Sequence, residues 1–200
     1  MIPRHMAIAL SVLFAAALGL SIYAWHVRKT VISRPITVTH DTRPLAPPIS
    51  GPTEQVVLFV AHDEDGTLRG ESAQIPMSSG RQQRAEELLR ALVSIYLGPS
   101  SSHPLGPGAD IRSVFLVDPG VAVIDLNEAF ADTHRSGVLV EGLTVASLIR
   151  TVTANTQGIL KVKILVDGKE RDTLAGHADL SSYYDVAAVN QLATELQPGQ

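Results

Sequence analysis

Residues 6 to 25, MAIALSVLFAAALGLSIYAW, run for 20 positions without a charge, and about 20 apolar residues suffice to span the hydrocarbon core of a bilayer. Tyr23 and Trp25 close the run, where amphipathic aromatics favour the headgroup layer, and His26, Arg28 and Lys29 come next. A cleaved signal peptide would have a shorter apolar core ending in a small-x-small site. Ile22-Tyr23-Ala24 is a poor site of that kind. Residues 1 to 29 therefore read as an uncleaved, single-pass membrane anchor, and the fold and the function must be sought in the residues C-terminal to it.

The charge is divided along the same line. Residues 1 to 53 hold five basic side chains and one acidic, whereas residues 54 to 200 hold eleven basic and nineteen acidic. An acidic soluble part argues against nucleic acid, whose binders usually carry a basic patch or stripe. Between anchor and domain, Pro35, Pro44, Pro47, Pro48 and Pro52 stiffen residues 30 to 53 into an extended spacer. Fully extended, such a spacer reaches about 70 Å. Arg4 and the amino terminus precede the helix while Arg28, Lys29 and Arg34 lie after it, a bias that by itself favours a cytoplasmic C-terminal domain.

From residue 54 the pattern is α/β. Val56 to Val60 is an apolar run of strand length, and Asp65-Gly66 signals a hairpin. The returning strand, about Leu68 to Ile75, is polar enough to lie at an edge. Ser79 and Gln82 have capping-box spacing, and Ala85, Leu88, Leu89, Leu92, Val93 and Leu97 then recur at helical intervals until Gly98-Pro99. A second hairpin, Ser113 to Val117 and Val121 to Leu126, turns on Asp118-Pro119-Gly120. A second helix is expected over Gly142 to Asn155, with Val145, Leu148, Ile149 and Val152 on its apolar face and Gly158 as its stop. Lys161 to Val166 alternates as a half-buried strand, and Asp167-Gly168 turns it towards a short strand at Lys169 to Leu174. The predicted architecture is one compact domain over residues 54 to 176, of ββαββαβ order with a mixed sheet, followed by a partly helical tail at residues 177 to 200.

Three segments then occur in a recognisable order. Leu97-Gly98-Pro99 closes the first helix, Val121-Ala122-Val123-Ile124-Asp125-Leu126 follows a tight hairpin, and Leu148-Ile149-Arg150-Thr151-Val152-Thr153 leads into Val162-Lys163-Ile164-Leu165-Val166-Asp167-Gly168-Lys169. Together they resemble the GerMN domain, a module of bacterial sporulation and germination proteins, over about residues 54 to 176. The resemblance implies an extracytoplasmic α/β domain tied to the cell envelope, with no established enzymatic activity. It also implies a part in assembling membrane complexes, as in some sporulation relatives. The founding members carry the domain twice and this chain once; many relatives have a lipid-bearing Cys where this chain has an apolar helix. On topology the resemblance outweighs the charge bias, because long domains translocate largely regardless of flanking charge.

Chemistry-bearing residues are sparse. With no Cys, disulfides, thiolate nucleophiles and Cys-based metal sites are excluded. His62-Asp63-Glu64-Asp65 groups an imidazole with carboxylates but lacks the spacing of a calcium loop, so it reads as a hairpin tip. The seven His include no His-x-x-x-His pair, and no metal is expected. Neither a phosphate loop nor a Gly-x-Gly-x-x-Gly follows a strand, and no cofactor is expected. Ser100 to Ser102 beside His103 lack a nucleophile elbow and read as a connector.

Two sets remain. Asp125 and Glu128, with Asp132 and His134 beyond, could act as paired carboxylates at a sheet end, or Asp125 could cap the next turn. Arg81 and Arg84 lie with Arg90 on one helix and could grip an anion, or they could form a salt-bridged solvent face with Glu86 and Glu87. The leading expectation is thus a non-catalytic, membrane-anchored binding or assembly module whose partner is an envelope protein complex or peptidoglycan. The alternatives are an envelope hydrolase using Asp125 or Glu128, and a self-associating homo-oligomer paired through strand edges.

Overall fold

A computed structural model describes residues 51–195 of the chain. Strand β1 (Thr53–His62) pairs antiparallel with β2 (Thr67–Pro76) in unbroken register from Thr53↔Pro76 to His62↔Thr67. Gly66, at φ +66°, supplies the left-handed residue that the turn needs. This hairpin is a sheet by itself, and among the described residues β2 pairs with no other strand.

The second sheet has four strands in the order β3-β4-β5-β6. β3 (Ile111–Val117) and β4 (Val121–Leu126) form the second hairpin, and β5 (Lys161–Val166) lies parallel to β4 from Val121↔Lys161 to Leu126↔Val166. β6 (Tyr184–Asp185) pairs antiparallel with the start of β5. The mixed sheet follows from connection length, since only the long β4–β5 crossover can return the chain in parallel.

Helix α1 (Arg81–Tyr96) buries Leu88, Leu89, Leu92 and Tyr96 and packs along β3. The short α2 (Glu128–Asp132) starts where the Asn127 side chain accepts the Phe130 amide at 2.9 Å. α3 (Val138–Asn155) packs on β1 and α1, and α4 (Val186–Glu195) packs on α3. Residues of both sheets and all four helices contribute to one apolar core.

Several expectations are corrected. The capping box at Ser79 does not form: the helix begins one residue later, with Gly80 as N-cap and no side-chain cap bond. α3 starts four residues before Gly142, because the Glu141 carboxylate accepts the Gly137 amide at 3.0 Å and caps the earlier turn. Asp167 (φ +54°) and Gly168 (φ +73°) make the expected tight turn. No strand follows it, only isolated bridges, Val166↔Lys169 and Thr173↔Asp179. Residues 184–195, in the region read as tail, form β6 and α4 and pack on β5 and α3. β5 does not simply alternate either. Lys163 is 3% exposed, its ammonium donating to the carbonyls of Leu180 (3.0 Å) and Ser181 (2.5 Å).

The apolar run at residues 6–25 and nearly all of the proline-rich spacer lie outside the described residues. Among the described residues no helix is long and apolar enough to cross a membrane.

The junction of β1 with α3 departs most from a simple amphipathic plan. The outer edge of β1 is closed by side chains. Asn155 accepts the Val57 amide (3.3 Å) and donates to the Val57 carbonyl (2.7 Å). The Phe59 amide donates to Thr151 Oγ1 (2.9 Å), and Ser147 Oγ donates to the Phe59 carbonyl (2.7 Å). At Ala61 the amide donates to the Tyr96 hydroxyl (2.8 Å) and the carbonyl accepts from Ser102 Oγ (2.7 Å). Every backbone polar group at these three alternate residues is thereby satisfied without a neighbouring strand.

Candidate functional site

The two sequence-predicted sets fare differently. Asp125 ends β4 with its side chain buried; Oδ1 accepts the Gly168 amide at 2.8 Å and Oδ2 lies 3.6 Å from Arg112 Nε. It therefore ties β4 to the turn after β5. Glu128 sits exposed in the first turn of α2, where a carboxylate favours the helix dipole. It makes no ion pair or hydrogen bond with Asp125. Asp132 pairs with Arg171 at 2.8 Å, and His134 points into the interior, so this set does not converge on one point.

Arg81 and Arg84 do converge. Both line a cleft of about 540 Å³ at the C-terminal end of α3, together with Asp118, Asn155, Thr156 and Gln157. Arg81 donates to the Gln157 carbonyl at 2.9 Å. Arg84 donates to the Asn155 carbonyl and, through Nε, to Glu54 at 2.8 Å. The two guanidiniums thus meet the negative end of the α3 dipole, which is where cations are stabilised. The salt-bridged face with Glu86 and Glu87 belongs to Arg90 alone.

A third group escapes sequence reasoning. His103 is fully buried, with Nδ1 2.5 Å from Asp63 Oδ1 and Nε2 2.6 Å from Thr144 Oγ1. His134 Nε2 meets the same hydroxyl at 2.7 Å, while its Nδ1 donates to the Arg135 carbonyl at 2.7 Å. Arg135 in turn pairs with Asp63. The Tyr96 ring packs edge-on against His103, and Phe130 stacks on His134. Burial pushes both imidazoles below their ordinary pKa, against the opposing pull of Asp63 on His103. Asp63 itself resists the upward push of burial and is held below the usual carboxylate range by His103 and Arg135.

Carboxylate, imidazole and hydroxyl stand here in the order by which a base activates a nucleophile. In this fold the hydroxyl at its end is closed to solvent. Thr144 and His103 are each 0% exposed, and a second imidazole shares the same oxygen. The chain fastens together the β1–β2 turn, the loop after α1, the loop after α2, and α3. No sequence signal joins these residues: Asp63, His103 and His134 each sit beside other polar groups, and Thr144 lies on a helix whose hydroxyls resemble a solvated face. Beside His103, Ser101 accepts the His103 amide and Ser102 donates to the distant Ala61 carbonyl, so both hydroxyls are spent on backbone groups. Among the described residues no cluster of His, Asp or Glu is arranged to hold a metal ion.

Comparison with known proteins places the fold. The chain is similar to the tandem GerMN domains of the sporulation protein GerM from Bacillus subtilis, with 22% identity and a TM-score of 0.51 over 65% of this chain and 45% of that one. It thus spans less than half of that tandem protein. It is also similar to the first GerMN domain of the same protein, with 20% identity and a TM-score of 0.47 over 65% of this chain and 95% of that one. No curated protein matches the sequence. A family model described as Germane, sporulation and spore germination, matches residues 57–172. That span is more than half of the chain and includes both hairpins, α1, α3 and β5, so the chain belongs to the Germane family of sporulation and spore germination proteins.

Proposed function

We propose that this chain is a single-pass, membrane-anchored module of the bacterial cell envelope that binds or assembles partners rather than catalysing a reaction, with its α/β domain on the extracytoplasmic side. The observation that carries this reading is that the reactive groups are spent inside the fold. The Asp63–His103–Thr144 chain is sealed, Asp125 holds a turn, and Glu128 stands apart from it. Family membership supports the same reading, as does the 20-residue uncharged run that precedes the spacer.

The full chain, solubilised from membranes, is expected to retain an envelope protein in a pull-down or to cosediment with peptidoglycan. Retention of neither would sink the proposal. Protease added to intact spheroplasts is expected to cut the spacer first, since exposed extended backbone fits a protease better than a packed domain does. Survival of the whole chain until the membrane is broken would place the domain in the cytoplasm and remove the cell-wall partner. A hydrolase would instead lose a measurable activity on Asp125→Asn or Glu128→Gln without unfolding, and a blank panel of esterase, glycosidase and phosphatase substrates disposes of that alternative.

A further inference from the structure

The cleft at the end of α3 combines charges of both signs with an unsatisfied hydroxyl. Arg81 donates only to a backbone carbonyl and has no carboxylate partner among the described residues, whereas Arg84 is neutralised by Glu54. A guanidinium has five N–H donors; the hydrogen bonds described use one from Arg81 and two from Arg84. Asp118, on the β3–β4 turn, makes no ion pair among the described residues. Thr156 is 6% exposed, yet its Oγ1 has no hydrogen-bond partner among the described residues. A buried hydroxyl left in that state is costly, and rotation of the side chain towards a ligand acceptor in the cleft would remove the cost. Of the seven residues that line the cleft, six are polar or charged and the seventh is Gly158, so no large apolar side chain is there to receive a lipid tail. A dianion such as phosphate would meet the Asp118 carboxylate with no cation of its own to offer it.

We propose that this cleft binds a zwitterionic amino-carboxylate, a free amino acid or a short peptide, with its carboxylate on Arg81, Arg84 and the Thr156 hydroxyl and its ammonium on Asp118. A guanidinium suits a carboxylate because it can donate two parallel N–H bonds. The carbonyls of Gln157 and Asn155 at the end of α3 are already met by Arg81 and Arg84, so the carboxylate faces guanidiniums rather than bare carbonyls. The cleft volume lies within the range of small-molecule sites. The proposal rests on the reading of the chain as a binding module, and not on which side of the membrane it works.

The test uses the full chain in detergent micelles, titrated calorimetrically with alanine, alanyl-alanine, N-acetyl-alanyl-alanine, alanyl-alanine amide and inorganic phosphate. Alanine or alanyl-alanine is expected to bind saturably. The acetylated and amidated forms, each lacking one charge, should bind about tenfold or more weakly. Arg81→Gln, at an exposed position, should weaken the zwitterion about tenfold. Asp118→Asn should weaken it but leave the acetylated peptide unchanged, and Thr156→Val should give a smaller loss with the circular dichroism intact. Saturation by neither zwitterion at millimolar concentration overturns the proposal, as does equal binding of charged and blocked peptides or preferential binding of phosphate. A chain that fails here yet still retains an envelope partner keeps the binding-module reading, whereas failure in both assays removes both.

Discussion

Glu141 is the side chain on which most backbone groups depend. It is 0% exposed, and its carboxylate accepts the amides of Gly137, Ala175, His177 and Ala178 at 2.9 to 3.0 Å as well as His177 Nδ1 at 2.9 Å. Burial pushes its pKa up, but these hydrogen bonds outweigh it and hold the carboxyl far below the usual range. Glu141→Gln exchanges a charged acceptor for an amide that cannot accept at both ends, and should cost about 2–4 kcal/mol in urea unfolding at pH 7. The sign of the pH dependence follows from the depressed pKa. The contribution is complete above the unfolded value of about 4.3 and is lost as pH falls below it, so the gap between wild type and variant should narrow at pH 3. A pH-independent gap would refute the role. The buried imidazoles act in the opposite range. With His103 Nδ1 facing Asp63 and His134 Nδ1 facing the Arg135 carbonyl, both neutral rings turn an Nε2 lone pair to Thr144, whose single proton is also drawn by the Val140 carbonyl at 3.0 Å. Burial nevertheless favours the neutral form of both rings. Nitrogen-detected NMR should find both titrating below about 6.5, and unfolding free energy should decline as pH falls through that value, because the unfolded chain takes up the protons first.

At the scale of elements, the β3–β4 turn is locked to the segment after α3. The Gly120 carbonyl accepts the amides of Leu160 (2.7 Å) and Lys161 (3.0 Å), its φ is +75°, and a Cβ there would stand 2.9 Å from the Gly158 carbonyl oxygen. Gly120→Ala therefore combines a left-handed strain of about 1–2 kcal/mol with a backbone collision, and should lower the melting temperature by several degrees. An unchanged melting curve would show that the turn yields. Gly120 belongs to the class of feature that the sequence makes legible. Asp65-Gly66, Asp118-Pro119-Gly120 and Asp167-Gly168 each need a residue tolerant of positive φ, and each marks a turn in its expected place. Legible too are the buried rows of α1 and the apolar face of α3. The polar side of α3 is not, because Thr144, Ser147 and Thr151 are hydroxyl residues of a kind common on wet surfaces, and all three are 0% exposed. Their partners, Phe59 and the two histidines, come from segments that only the tertiary fold brings near. Arg81 and Arg84 are visible as a pair, but their spacing says nothing of the carbonyls of Asn155 and Gln157 that face them.

At the scale of the whole molecule, the edge of β1 limits how copies can meet. Self-association through the first hairpin would have to use the outer side of β2, where Arg69 and Glu71 stand, since the outer side of β1 is already filled by Asn155, Thr151 and Ser147, while on the free edge of β3 the Val114 amide donates to Glu86 and the Arg112 carbonyl accepts from Arg90. Light scattering should therefore find the full chain in detergent as a single copy per micelle at neutral pH; a discrete dimer would reopen the homo-oligomer reading. Thr151→Val keeps the shape of the side chain and deletes the acceptor of the Phe59 amide. It should cost about 1–3 kcal/mol and turn the detergent-solubilised chain into a species whose scattering grows with time. In most sheets a strand edge is protected by another backbone, which no codon can alter. Here the protection is carried by a few side chains on a buried helix, and each can be erased by one nucleotide change. For this domain, resistance to aggregation during synthesis is a property inherited through its interior, and variants selected for solubility by surface charge alone would leave that vulnerability untouched.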